Sequence, residues 1–498
     1  MRNSSQKLFS AKDRSYLQKR GISTIQANKQ LERFRTGFPF VELLDPCTAG
    51  KGVLRLSLQE QKQAEARFLK EVSAIQIQKF VPASGAASRM FHFLEDANPD
   101  FDGLKNKFLK HLPDFAFYPA LAETLKKSGQ DILKLRKAKK LAPIVKALLE
   151  KEGLGYGQAP KGMVLFHRDG AQARTAFAEQ LNEAVVFAGS GKKISVHFTL
   201  PETARAQVRR QLKNTAAKMR SYKVTLSDSI QSPATDCLAV EKEGGLIRTS
   251  QGAPLLRPSG HGALLDNLNK IKSKIIYVKN IDNILPAHKR GEADRWKRIL
   301  TGVFIQTQAE IFNAQKILKK KKMSPHEALL ALRLAQRLGW HGAGRKNLTA
   351  FFNRPLRVCG MVPNAGEPGG GPFWTRDSEG NVSAQIIESA EVNFKNKKQE
   401  QIWRSSTHFN PVEFVCGAHD FSGKKYDLTR FVDENRGIIS KKSYQGREIR
   451  VMELPGLWNG SMAHWLTLFV EIPGSVFAPV KTVLDLLRSE HQPGKYKK

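Results

Sequence analysis

The segment Val81-Pro-Ala-Ser-Gly-Ala-Ala-Ser-Arg-Met90 places small residues at 83–88 immediately before an arginine. Side chains this small let backbone N–H groups approach an anion closely, and a following helix N-terminus adds the positive end of its dipole. Arg89 supplies a forked cation suited to phosphate, with Ser84, Gly85 and Ala86 lining the approach. The same composition also suits an ordinary strand-to-helix turn with a surface arginine. It is neither GxxxxGK[ST] nor GxGxxG, which sets aside the P-loop and the dinucleotide fingerprint. Further on, Arg257-Pro-Ser-Gly-His-Gly-Ala-Leu264 flanks His261 with Gly260 and Gly262, so that backbone could pass close to a flat ligand. A glycine-rich helix entry with an exposed histidine is the alternative. Ile281-Asp-Asn-Ile284 follows an apolar run, and an acidic residue just past a strand's C-terminal end is well placed to hold Mg2+, here Asp282.

Other groups carry less. His408 and His419 flank Cys416 without a metal-ligand pattern, and Gly369 to Gly371 lacks a following helix with a cation, so both read as packing or turn. Trp458 and Trp465 sit on a short apolar stretch and read as core.

The elements that must position these residues show in the periodicity. Residues 1–70 read as helical, with an amphipathic helix from Val53 to Val72. Ala74 to Val81 alternates and ends at Pro82, as a strand entering a loop does. Further strands are expected at Met163 to Phe166, Ile194 to Leu200, Leu238 to Val240 and Lys274 to Val278. Helices are expected at Ala173 to Ala188, Thr203 to Met219, Gly262 to Ile271 and Asp294 to Leu338. The alternation predicts an α/β fold with a largely parallel sheet flanked by helices. The organisation expected is a helical segment 1–70, an α/β core 71–290 with a helical insertion 96–152, a basic helical segment 291–350, and a C-terminal part 351–498 of the same unit. That last part mixes short strands with turns such as Glu367-Pro-Gly-Gly-Gly-Pro372 and ends in a frayed tail at Gly494 to Lys498.

With 41% hydrophobic residues and 28 Phe among 498, the chain can bury a sizeable core, and global disorder is excluded. The 81 Lys and Arg against 46 Asp and Glu leave +35, which points to a polyanionic partner: nucleotide phosphates, nucleic acid or anionic lipid. The cations are spread along the whole chain without a nucleic-acid-binding signature, so nucleic acid remains possible but is not favoured. Four scattered cysteines, Cys47, Cys237, Cys359 and Cys416, make neither a disulfide framework nor a zinc site. No stretch reaches the roughly 18–20 apolar residues of a membrane span, and the polar start has no secretory h-region. A cytoplasmic protein with no membrane partner is therefore expected.

These motifs also carry a resemblance. The 82–90 loop resembles the signature loop of sugar nucleotidyltransferases, with Gly85, Ser88, Arg89 and Met90 in place and Ala87 where a second glycine is common. Pro160-Lys161-Gly162 resembles their following PKG element. Gln231-Ser-Pro233 and Pro258-Ser-Gly-His-Gly262 resemble the uracil-contacting elements of UDP-sugar pyrophosphorylases. Ala384-Gln-Ile-Ile-Glu-Ser-Ala-Glu391 resembles their sugar-contacting strand, with Ser389 where tyrosine is usual. Val476-Phe-Ala-Pro-Val-Lys-Thr-Val-Leu-Asp-Leu-Leu487 resembles the PVKT element of UDP-glucose pyrophosphorylases. From about residue 80 to the end, stretches such as VPASGAASRM and STHFNPVEFVCG are also similar to a bacterial family of domains of unknown function, number 4301.

The pyrophosphorylase resemblance implies a nucleotide-diphospho-sugar transferase fold. It also implies a uridylyltransferase that converts UTP and a sugar 1-phosphate to UDP-sugar and pyrophosphate with Mg2+. In that scheme Arg89, Lys161 and Lys481 are catalytic, and Ser84, Gly85, Ala86, Gln231, Gly260, His261 and Gly262 bind nucleotide. Glu388 contacts the sugar and Asp282 the metal. A non-catalytic nucleotide-sugar-binding or nucleic-acid-binding protein is the alternative.

Overall fold

The computed structural model describes residues 9–170, 172–340, 342, 344–366 and 369–493. Glu367 and Pro368 of the expected turn, and the tail from Gly494, lie outside the described residues. The chain divides into two compact units, each assembled from three stretches. Unit 1 comprises Met1–Leu58, Gln231–Lys274 and Val303–Glu471; unit 2 comprises Gln59–Ile230, Ile275–Gly302 and Ile472–Lys498.

Unit 2 is built on parallel strands in the order Ile275–Lys279, Ile77–Pro82, Lys193–Leu200, Lys223–Ile230. The first three are almost continuously buried, as strands covered on both faces must be, and their β-branched and aromatic residues suit that place. Lys223–Ile230 was not expected from the sequence. It is only half-buried and last in the order, so its Val224 and Leu226 alternate with threonine and serine instead of forming an apolar run.

Two buried lysines interrupt the apolar pattern of these strands. Lys79 and Lys279 point at Glu183 on the helix Ala176–Glu183, at 2.6 and 2.8 Å, and Lys297 joins them at 3.0 Å. All four side chains are buried. Burial raises the Glu183 carboxyl, but the three ammonium groups outweigh it and hold the group well below the usual carboxylate range. Burial lowers Lys79 to about 8.

The helix Ala176–Glu183 starts three residues later than its periodicity suggests. Gln172–Thr175 pairs with Leu165–Asp169 as a hairpin, and Thr175 then caps the helix by accepting from the Ala178 amide. The strand expected at Met163 to Phe166 correspondingly begins at Leu165, after a 3-10 turn over Lys161–Met163. Within 96–152 the helices Asp102–Lys110, Tyr118–Lys127, Ile132–Lys137 and Leu141–Leu149 enclose an aromatic cluster of Phe108, Phe115, Phe117 and Tyr156. Val480, Val483 and Leu486 of the C-terminal stretch join the same core.

Unit 1 centres on Leu356–Pro363, parallel to Leu466–Glu471 and antiparallel to Glu413–Gly417. Two antiparallel sheets accompany it: Glu42–Pro46 with Gly371–Arg376 and Val382–Ile387, and Leu256–Arg257 with Cys237–Glu241, Arg447–Glu453 and Ile438–Tyr444. The chain is therefore mixed α/β with mostly parallel central strands, as the alternation predicts.

Two expectations are corrected. The stretch 1–70 is not wholly helical: Glu42–Pro46, Thr48–Ala49 and Gly52–Leu54 are strands, and the helix expected from Val53 begins only at Leu58. The helix expected over Asp294 to Leu338 is two, Gly291–Lys319 and Pro325–Arg337, separated at the lysine block and restarted by a Ser324–Glu327 capping box with proline at its first position. No helix among the described residues is long and apolar enough to cross a membrane.

Candidate functional site

In unit 2, residues from four distant parts of the chain meet at the C-terminal ends of the parallel strands. The loop after Ile77–Pro82 is held by two backbone bonds to the 159–161 segment: the Ala87 amide donates to the Ala159 carbonyl, and the Lys161 amide donates to the Gly85 carbonyl, each at 2.9 Å. This bridge, closed across the helical insertion, brings Lys161 beside the loop. The Lys161 ammonium then donates to Asp282 Oδ2 at 2.8 Å, with both side chains largely buried. Lys481 reaches the same oxygen from the C-terminal stretch at 3.9 Å, its side chain still 59% exposed.

That convergence is fixed by backbone. The Val480 amide donates to the Asp282 carbonyl at 3.0 Å, and the Ala478 amide donates to Asn283 Oδ1 at 3.1 Å. From the other side the buried Gln180 amide donates to the carbonyls of Asn280 and Ile281, at 2.8 and 3.2 Å, the two residues before Asp282. Gln180 and Asn283 were not expected from the sequence. The available signal was a set of polar residues, Glu179, Gln180 and Glu183, on the face of a helix that is otherwise apolar.

The loop itself is open. The amides of Ser84, Gly85, Ala86, Ser88 and Arg89 find no acceptor among the described residues. The space a Cβ would fill at Gly85 is empty. Ser84 is half-buried, whereas Gly85, Ala86 and Arg89 are exposed, and Arg89 forms no hydrogen bond or ion pair among the described residues. Unpaired amides at a helix start, an unpaired guanidinium and two ammonium groups can together hold a polyanion.

Asp282 is the one predicted metal ligand, and no cluster of three or more His, Cys, Asp or Glu suited to a metal exists among the described residues. Both lysines approach Oδ2, whereas Oδ1 accepts nothing among the described residues. Mg2+ commonly takes one or two carboxylates and completes its shell with water and substrate phosphate. A single aspartate with one oxygen open fits that mode and does not fit an all-protein cage.

In unit 1, the structure brings His261 and Glu388 together. The Leu457 amide donates to His261 Nδ1 at 2.9 Å, so the proton of the neutral ring lies on Nε2, 3.7 Å from Glu388 Oε1. Trp458 stacks on the imidazole at 4.1 Å between centroids and donates from Nε1 to the same carboxylate at 3.3 Å. Burial holds His261 down at about 4, against the opposing pull of Glu453 and Glu391. Trp458 and Trp465 are buried, as expected of core, but Trp458 also serves this cluster. Gln231 lies nearby in the chain of contacts: it donates to Thr235 Oγ1 at 3.5 Å, and the Thr235 carbonyl accepts from Ser259, next to Gly260.

The two glycines beside His261 each face a close approach from within the chain. Gly260 has φ +76, and a Cβ there would come within 2.8 Å of Glu453 Oε2. At Gly262 a Cβ would lie 2.2 Å from the Pro455 carbonyl. At both positions the chain's own 453–455 segment comes too close for a side chain.

The fold has relatives among solved structures. A Trypanosoma brucei uridine diphosphate N-acetylglucosamine pyrophosphorylase, solved with an inhibitor, aligns over 97% of this chain and 80% of its own at 13% identity, with a TM-score of 0.50. A mutant UDP-glucose pyrophosphorylase from Leishmania major in complex with UDP-glucose aligns over 98% and 79% at 10% identity, with a TM-score of 0.43. The first likeness identifies the fold as that of the nucleotidyltransferases. No curated protein matches the sequence. Residues 10–492 match the family described as a domain of unknown function, DUF4301, and the chain belongs to that family.

Proposed function

We propose that the protein is a nucleotidyltransferase of the UDP-sugar pyrophosphorylase type, converting UTP and a sugar 1-phosphate to UDP-sugar and pyrophosphate. The observation that carries the proposal is the meeting of Lys161 and Lys481 on Asp282 in the unit that also holds the open amides of Ser84 to Arg89. The chemical problem is to bring two polyanions together and align an in-line attack. A phosphate oxygen of the sugar phosphate attacks the α-phosphorus of UTP. The bond from that phosphorus to the bridging oxygen breaks, and pyrophosphate leaves with the electron pair. No covalent enzyme intermediate is required.

In this scheme the loop amides hold the triphosphate, and Arg89 and Lys161 meet the charge growing on pyrophosphate. Lys481, the more exposed lysine, steadies the incoming sugar phosphate. Asp282 would hold Mg2+, which when bound supplies charge screening at the phosphates. Roles for Gln231, Gly260, His261 and Gly262 toward uracil, and for Glu388 toward the sugar, follow from the resemblance. The neutral His261 offers a donor and a stacked ring, which suits a base or a hydroxyl and not a phosphate.

The test is pyrophosphate release from UTP with a panel of sugar 1-phosphates, alongside the reverse reaction. Lys481→Met should lower kcat more than it weakens UTP binding, by roughly 30- to 1000-fold for one charge-assisted contact made in the transition state. Absence of turnover with every nucleotide and sugar phosphate offered would defeat the proposal.

A further inference from the structure

Unit 1 contains a cavity of about 1090 Å3 that none of Gln231, Gly260, His261, Gly262 or Glu388 lines. Its wall includes Phe351, Arg354, Trp374, Asp377, Asp433 and Trp465. Arg354 is half-buried with its guanidinium 5.4 Å above the Phe351 ring, and it makes no hydrogen bond or ion pair among the described residues. Other arginines buried in this unit do have hydrogen-bond partners, although Arg357 keeps its Nη2 unpartnered among the described residues. Arg357 donates to the Trp458 carbonyl and to Thr467, and Arg436 pairs with Glu391 at 2.7 Å.

Asp377 is the carboxylate whose charge Arg354 feels, but it does not pair with it. Its oxygens accept instead from the amides of Glu379 and Asn381 and from the Asn381 side chain, closing its own turn. Burial accordingly lowers the Arg354 pKa, with Asp377 opposing. A guanidinium with no carboxylate hydrogen-bonded to it inside a concave wall is poised for an anion from solution.

The rest of the wall narrows the class. Trp374 is half-buried and offers a large, rigid apolar surface for a ring. Asp433 supplies a carboxylate, which accepts from hydroxyls and repels a second anionic group. Arg337 and Lys51 also line the wall but are paired with Glu310 and Asp45, so indole, carboxylate and Arg354, the one unpaired cation among the described residues of the wall, together suit a ring bearing several hydroxyls and one negative group. We infer that this cavity is a second ligand site, for a monosaccharide carrying one phosphate or carboxylate, with the anion on Arg354 and the ring against Trp374.

The inference does not depend on turnover. Calorimetry with glucose 6-phosphate, N-acetylglucosamine 6-phosphate, glucuronate, glucose and inorganic phosphate tests it directly. At least one of the three anionic sugars should bind, with glucose and inorganic phosphate at least tenfold weaker. Arg354→Met should weaken that binding roughly 10- to 150-fold, the range of one charge-assisted hydrogen bond. Lys481→Met should leave it within twofold, which separates this site from the one proposed for UTP. Should Arg354→Met fail to fold, wild-type protein serves: saturating ligand should slow phenylglyoxal modification of Arg354, read by peptide mass spectrometry, at least fivefold. The inference is overturned if no anionic sugar binds, if phosphate binds as tightly as the sugar phosphate, if Arg354→Met binds normally, if Lys481→Met abolishes binding, or if Arg354 is not protected.

Discussion

Asp282 takes two lysines on one oxygen, and the geometry makes them unequal. Lys161 lies at 2.8 Å with both side chains about one-seventh exposed; Lys481 lies at 3.9 Å and is 59% exposed. A charge-assisted hydrogen bond in the first setting is worth about 1.5–3 kcal/mol. A long pair with an exposed lysine is worth about 0–1 kcal/mol. Double-mutant cycles built from Asp282→Asn, Lys161→Met and Lys481→Met should therefore give a stability coupling of about 1.5–2.5 kcal/mol for Lys161 and below about 0.5 kcal/mol for Lys481. Asparagine keeps the backbone carbonyl that accepts from the Val480 amide, so the 282–480 bridge survives and the cycle reads the side chains alone. Urea unfolding is the assay, run at low salt and at about 1 M, where the Debye length falls to about 3 Å. Salt should erase the Lys481 coupling and spare most of the Lys161 coupling. Couplings within about 0.3 kcal/mol of each other, or in reverse order, would refute the division of labour in which Lys161 is a fixed charge and Lys481 a mobile one.

Glycine scanning should separate open space from packing: Gly85→Ala should leave the urea midpoint unchanged, whereas Gly262→Ala, whose Cβ meets a backbone carbonyl, should lower it sharply. Glu183→Gln removes the carboxylate that three buried lysines share and should cost about 3–5 kcal/mol or prevent soluble expression, while Lys79→Met, which leaves Glu183 with two partners, should be much milder by the same measurement. Burial lowers His197 from 6.5 to about 4 and His491 to about 3, so the unfolded chain takes up protons that the folded one refuses. Stability should thus be full above about pH 7 and fall as pH drops from about 6.5 toward 4. His197→Asn should flatten that slope in urea midpoints measured at pH 7 and 4.5, and an unchanged slope would speak against burial as the cause.

The parallel strands of unit 2 were legible from the apolar run Ile275 to Val278 and from the alternation of Ile194, Val196, Phe198 and Leu200 with Ser195, His197 and Thr199. The edge strand Lys223–Ile230 was not, since a half-buried strand of threonine, serine and aspartate carries little of that signal. Glu42 to Leu54 escaped for a different reason: strands of two to five residues are too short to establish a period. The restart at Ser324 was readable from its Ser-Pro-His-Glu capping box, but the apolar period on both sides masked the break. Within the candidate site, residue types pointed to Lys161, Asp282 and Lys481, but Gln180 and Asn283 act through contacts with residues some 100 and 195 positions away. At Gly260 and Gly262, composition announced that space was needed without saying what would fill it; the occupant is a chain segment almost two hundred residues downstream.

Each unit is stitched from three separated stretches, and this bears on how the protein is made. During synthesis, residues 59–230 emerge early yet lack Ile275–Lys279, the strand that pairs with Ile77–Pro82, until residues 231–274 of the other unit have also appeared. Lys481 and the bridge that seats Asp282 arrive only with the last stretch. Pairings at such sequence separation make folding slow and leave apolar strand faces waiting for partners. Demand for chaperones should accordingly be high in the nascent chain and low in the finished one, and fragments ending before residue 472 should aggregate where the full chain does not.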